Sequence, residues 1–130
     1  MRKVNHDGTD DSAFVQFVSP HNWASITTQY EEKVPSVPAQ GVTIKVRGCR
    51  TTPYANATVV SNCYSYHNTG DGITWSDLLV VDYAVPGGDS GGAAYWKTID
   101  GGRTTCVIGV ISAANDTRTF IVKSGNVEDY

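Results

Sequence analysis

Short runs of β-branched and aromatic residues set the pattern of this chain. Gly, Asn, Pro and Asp break them roughly every eight to fifteen residues, and helix-period stretches are scarce. That rhythm predicts an all-β sandwich or barrel. The predicted strands are Ala13–Val18, Ser25–Tyr30, Val42–Val46, Ala57–Ser65, Leu78–Val81, Ala93–Trp96, Thr105–Ser112 and Thr117–Val122. Breaks fall at Ser19–Asn22, Asn68–Gly72, Pro86–Gly88 and Asp100–Gly102, where turn-forming residues cluster.

The segment Glu31–Gly41 carries charge, two prolines and a closing glycine, and it reads as a linker between two packing units. About two strands precede it and about six follow. Two strands cannot build a core alone. Residues 1–30 are therefore expected as an appendage or remnant, and residues 42–130 as a six-stranded unit. The polar tail Lys123–Tyr130 could begin a helix but is too short to stand by itself.

Composition narrows the class. Hydrophobic residues make up 40% of the chain, enough for a core, while charged residues are only 18%, low for a long-helix protein. A net charge of −3 gives no electrostatic case for nucleic acid or for an anionic membrane. No apolar run approaches the roughly 20 residues that span a bilayer, and the basic start is not followed by the apolar stretch of a signal peptide. The cysteines are Cys49, Cys63 and Cys106, and an odd count leaves at least one unpaired within the chain. Cys49–Cys63, between neighbouring strands, is the pair best placed for a disulfide. Without a Cys-x-x-Cys, and with His6, His21 and His67 scattered, no metal site is expected. The sequons at Asn56 and Asn115 read as chance.

The most informative segment is Gly87-Gly-Asp-Ser-Gly-Gly92. Glycine adopts positive φ without steric cost, so such a bend can expose a hydroxyl and aim amide N–H groups at one point. Two readings are open. One is a nucleophilic Ser90 in an acyl-transfer enzyme, with an oxyanion hole from the Gly88 and Ser90 N–H groups. The other is a plain turn between strands.

Neighbouring sequence favours the first reading. Four blocks in order, Asp11-Ser-Ala-Phe-Val-Gln-Phe, Val46-Arg-Gly-Cys-Arg-Thr-Thr-Pro-Tyr, Gly88-Asp-Ser-Gly-Gly and Ile108-Gly-Val-Ile-Ser-Ala-Ala, make the chain resemble chymotrypsin-fold serine proteases. The bacterial streptogrisin and α-lytic-protease branch is the most similar. The resemblance implies an antiparallel chymotrypsin-like β-barrel, here the complete second barrel with a remnant of the first that holds the aspartate strand. It implies Ser90 as nucleophile, Asp11 as the carboxylate that orients the base, and a buried Asp89–Arg47 ion pair that holds the oxyanion turn. It implies substrate binding by Ala84, Ser112, Ala113 and Ala114, the last three pairing with substrate as an added strand. No cofactor or metal is implied. The expected partner is a peptide or protein substrate, and by resemblance the location is extracellular.

Departures from the family pattern matter. A serine hydroxyl needs a base, and none of His6, His21 and His67 matches the family's histidine motif. Five residues separate His6 from Asp11, and on one extended segment that odd spacing sets them on opposite faces. The chain thus reads as a serine endopeptidase lacking the region for its catalytic histidine, with the rest of the first barrel as a further expected partner. The alternatives are a non-catalytic homologue that binds peptides and a truncated inactive product. The pocket positions read Ser112-Ala-Ala where glycine is usual, and Ala84 stands where a trypsin-type pocket holds its carboxylate. Small or medium apolar side chains are the expected substrates, although Asp82 is close in sequence.

Overall fold

β-Branched runs separated by polar turns form nine strands among the residues described by the computed structural model, which are 3–6, 8–9, 11–14, 32–33, 38–97 and 105–126. They are β1 (Lys3–His6), β2 (Asp11–Phe14), β3 (Glu32–Lys33), β4 (Thr43–Arg47), β5 (Ala55–Asn68), β6 (Ile73–Val81), β7 (Ala93–Lys97), β8 (Thr105–Ala114) and β9 (Thr119–Lys123). A 3-10 turn follows at Ser124–Asn126.

Six strands close on themselves. The antiparallel order is β8–β7–β4–β5–β6–β9, and β9 returns to pair with β8 from Gly109↔Lys123 to Ala114↔Thr119. Closure removes the open edges that would otherwise recruit other strands. These six are the six expected over residues 42–130, and they close as an antiparallel barrel.

Alternation explains the core. In β4, Ile44 and Val46 face inward while Thr43 is exposed; in β5, Ala57 and Val59 do the same. They meet Leu79, Val81, Ala94, Ile108, Ile111 and Ile121 inside the ring. Burying each large aliphatic side chain is worth about 1.5–3 kcal/mol. β6 is buried on both faces from Leu78 to Val81. Its outer side carries a second cluster of Trp75, Leu78 and Val122, with Tyr64, Tyr66 and Phe120 packed against it. The Tyr66 and Phe120 rings lie 5.1 Å apart between centroids, within the range of favourable aromatic pairs.

Several elements differ from expectation. β6 starts at Ile73 rather than Leu78, because Asp77 takes a left-handed conformation (φ 56°) that breaks the alternation in mid-strand. Lys123 Nζ and Asn126 Nδ2 bind the two Asp77 carboxylate oxygens at 2.5 and 3.0 Å, and the lysine hydrogen bond holds that carboxyl below the usual aspartate range. Glu32–Lys33, inside the expected linker, forms β3 and pairs parallel with Cys106–Val107 of β8. The expected strand Ser25–Tyr30 lies outside the described residues, as do His21 and residues 15–18.

The start of the chain is a hairpin, not one extended segment. β1 and β2 pair antiparallel with His6 opposite Asp11, so the two are cross-strand partners. Gly8, at φ 97°, takes the turn between them, and its carbonyl accepts the Ser76 N–H at 2.7 Å, tying the hairpin to β6.

Cys49 and Cys63 are both free and exposed, so the expected disulfide is absent. Geometry forbids it. The β4–β5 register runs Thr43↔Thr58 to Val46↔Ala55 and, carried on, sets Cys49 near residue 52. Cys63 is then on the order of 30 Å further along β5 at the rise of a strand, whereas a disulfide needs Cα atoms within about 7 Å.

Candidate functional site

Between β6 and β7 the chain runs through Asp82–Gly92, and three sets of bonds fix its path. Thr119, buried in β9, donates its hydroxyl to the Tyr83 carbonyl (2.5 Å) and accepts the Val85 N–H (3.1 Å). Further on, the Asp89 N–H reaches the Pro86 carbonyl and the Gly92 N–H reaches the Asp89 carbonyl, at 3.3 and 2.9 Å. These are two successive turns, and they use Gly88 (φ 99°) and Gly91 (φ 85°) in a region that L side chains rarely enter. Finally, Gly91 N donates to Ile111 O and Ile111 N to Gly92 O, both at 2.8 Å, sewing the bend onto β8.

Ser90 stands exposed at the top of this bend. Its hydroxyl donates to the Ser112 carbonyl at 3.0 Å. Neither the Gly88 nor the Ser90 N–H has an acceptor among the described residues. Beside them opens a cleft of about 280 Å³ lined by Val85, Pro86, Gly87, Gly88, Ser90, Ile111, Ala113, Ala114, Asn115 and Asp116. Val85 and Ile111 are buried and close its inner end; Asn115 and Asp116 are exposed at its rim. Asn115 shapes that rim, since its Oδ1 accepts the N–H groups of Thr117 and Arg118 at 3.0 and 2.8 Å and so caps the β8–β9 turn.

Asp89 is the anchor of the bend. It is 1% exposed, and its carboxylate accepts the Arg50 N–H at 2.6 Å and the Thr51 hydroxyl at 2.5 Å. Burial alone would raise its pKa. The Thr51 hydroxyl, the Arg50 and Thr51 amides and the nearby Arg50 charge outweigh it and hold the group below the ordinary range. The loop can close this tightly because residue 48 is glycine: a Cβ there would lie 2.5 Å from the Asp89 Cγ. The cation that acts on Asp89 is thus Arg50, where the resemblance implied Arg47. Arg47 is a strand residue of β4 in register with Ala93, whereas the loop beyond β4 folds back over Asp89.

Other expected positions sort by the same geometry. Gly88, Ser90, Ala113 and Ala114 meet at the cleft. Ala84 does not line it; its neighbour Val85 does, because Thr119 pins the chain there. Ser112 contributes its carbonyl to Ser90 rather than a wall to the cleft. Asp82 is turned to β5, accepting the Thr58 N–H at 2.7 Å, and so stays out of the cleft. Asp11 heads β2, and only its backbone is described. His67 sits near the far end of β5 with Nδ1 2.9 Å from Thr74 Oγ1. Thr51, Arg50 and Thr119 escaped sequence reading, for nothing in a lone threonine or a loop arginine marks a long-range partner. Among the described residues no group of His, Cys, Asp and Glu is placed to hold a metal.

No protein-family model matches the chain, and no curated protein sequence does. Solved structures do. A glutamic-acid-specific serine protease superposes with a TM-score of 0.54 at 20% identity, covering 75% of this chain and 49% of that one. The fold is the chymotrypsin-like barrel. The 2A proteinase of human rhinovirus RV-C02 gives a TM-score of 0.53 at 17% identity, covering 73% of this chain and 63% of its own. The 2A protease of human rhinovirus C15 gives 0.51 at 19%, covering 72% and 65%. This chymotrypsin-like chain therefore spans about half the length of the first of these proteins and less than two thirds of the other two.

Proposed function

We propose that the chain carries the nucleophile barrel of a serine endopeptidase. The observation that supports this most is the bend itself. An exposed Ser90 sits beside a cleft and two N–H groups without acceptors among the described residues. Ser90 would attack the substrate carbonyl, and the Gly88 and Ser90 N–H groups would receive the oxyanion, a contribution of about 2.7–4 kcal/mol per donor in such sites. The acyl side of the substrate would lie along Ser112–Ala114 of β8 as an added strand. Its last side chain would enter the cleft, whose Val85, Ile111, Ala113 and Ala114 lining suits a small or medium apolar group. Asp11 would orient the histidine that serves as base.

A second reading follows from the same groove: a homologue that binds peptides without turnover. Its support is that none of the three histidines of the chain matches the family's motif. A fluorophosphonate probe separates the two. The endopeptidase reading, with a histidine brought to Ser90 by this chain or by the rest of the first barrel, expects covalent labelling that Ser90→Ala abolishes. A folded wild-type chain that resists the probe yet still binds extended peptides is the non-catalytic homologue.

A further inference from the structure

We propose that Arg50 is a specificity-determining residue that reads an acidic side chain on the leaving-group side of the peptide lying across Ser90. The inference rests on the reading of the groove as a peptide site, with or without turnover.

Arg50 is tied to the nucleophile bend at both ends. Its backbone N–H donates to Asp89 at 2.6 Å, and its side chain curls back so that Nη1 donates to the Gly87 carbonyl at 3.1 Å. The stem runs over Gly88, with Cδ 3.5 Å from the place a Cβ would occupy there. The guanidinium is therefore held against the outer side of the Gly87–Gly88 peptide. Gly87 and Gly88 line the cleft and Arg50 does not, so the guanidinium stands outside it.

That placement decides what Arg50 can meet. A peptide whose carbonyl oxygen sits at the Gly88 and Ser90 N–H groups has its acyl half over the cleft and β8. Its other half must leave past Gly87–Gly88 in the direction of Arg50. Among the described residues the guanidinium makes no hydrogen bond to Asp89, whose oxygens accept the Arg50 amide and the Thr51 hydroxyl, so its charge acts on Asp89 only from nearby. Among the described residues, the one side-chain hydrogen bond of the exposed Arg50 is that to Gly87 O. Guanidinium carries five N–H donors in a planar fork that matches a carboxylate. A tethered fork with donors to spare, next to the bend, fits Asp or Glu one or two residues beyond the attacked carbonyl.

The test uses the Ser90→Ala chain, which cannot cleave, and three fluorescein-labelled peptides followed by anisotropy. They share one apolar acyl half and differ beyond it as Asp-Asp, Ala-Ala or Lys-Lys. The Asp-Asp peptide is expected to bind about five-fold tighter than Ala-Ala, the upper end for an exposed ion pair, with Lys-Lys weakest. Salt should shrink the advantage, and Arg50→Gln should remove it, so that in this variant the Asp-Asp and Ala-Ala peptides bind alike. Arg50→Lys, which keeps the charge but not the fork, should retain only part of it. This second variant carries the test if Arg50→Gln does not fold. Equal affinities, an advantage that survives Arg50→Gln or stays whole in Arg50→Lys, or no binding of any peptide overturns the proposal. Fluorophosphonate labelling of chains with Ser90 intact is read separately. No labelling with the charge preference intact removes the endopeptidase reading alone; labelling without the preference removes this inference alone.

Discussion

At the scale of single residues, Asp89 is closed off from solvent and still charged, and its neighbours explain why. Arg50 N–H, Thr51 Oγ–H and the Arg50 charge together outweigh the cost of burying the carboxylate. Asp89→Asn keeps the shape but turns one acceptor into a donor facing those groups. We expect it to lower stability by about 1–3 kcal/mol, measured by urea unfolding near neutral pH, and to weaken probe labelling of Ser90. The pH dependence follows from the depressed pKa. The charged form is favoured in the folded state, so the stabilisation is fully present above the ordinary aspartate value of 3.8. It is lost as pH falls below that through the folded-state value. The stability gap between wild type and Asp89→Asn should therefore narrow below that pH; a gap that stays constant down the acid limb would mean the carboxylate charge is not what holds the bend. The Gly-Asp-Ser-Gly-Gly signature made the bend at Asp89 and Ser90 legible in the sequence, because glycine on both sides lets the backbone take the positive φ that such a bend requires. The Arg50 partnership was not legible. Arg47 and Arg50 are three residues apart, and only the path of the loop after β4 shows that the Arg50 amide meets Asp89 with its charge nearby.

At the scale of elements, β9 governs a site to which it contributes no lining residue. Its Thr119 bridges the Tyr83 carbonyl and the Val85 N–H, and Val85 closes the inner end of the cleft. Thr119→Val preserves volume and leaves the buried Val85 N–H and the part-buried Tyr83 carbonyl without this partner, so we expect a loss of about 1–3 kcal/mol. Thr119→Ser, which keeps the hydroxyl, should recover most of it, and peptide affinity should follow the same order. A Thr119→Val chain as stable as Thr119→Ser would show that packing, not the bridge, sets this segment. Strand content was largely readable from β-branched runs, but the extent of β6 was not. Ile73–Ser76 and Leu78–Val81 look like separate pieces until Asp77 is seen as a bulge held by Lys123 and Asn126 from the opposite end of the chain. The Cys49–Cys63 expectation failed for a related reason: neighbouring strands are not neighbouring residues, and register decides.

At the scale of the whole molecule, a ring of six strands must behave as one cooperative unit for its core to hold. The sequence supplied the six strands; the decisive contact, β9 returning to β8, is a pairing between residues whose pattern alone does not specify a partner. Two neighbours in β9 expose that architecture. Ile121 is fully buried inside the ring, while Phe120 packs with Tyr64 and Tyr66 on the outer side. Ile121→Ala should cost about 2–5 kcal/mol, since the ring cannot collapse around the cavity without breaking pairings on both flanks of β9. If inner core and outer cluster belong to one unit, both must report the same transition. We expect far-ultraviolet circular dichroism, which follows the strands, and Trp75 fluorescence, read in a Trp23→Phe, Trp96→Phe background, to give coincident urea curves. Both should shift to lower urea together in Ile121→Ala. Trp75 lies in the outer cluster, away from the cavity, so a shift in dichroism with an unmoved fluorescence midpoint would mean that the outer aromatic cluster unfolds apart from the inner core. The bend that carries Ser90, sewn to β8 through Ile111, would then lose its rigid support whenever the ring opened, and peptide binding would follow the dichroism curve rather than the fluorescence.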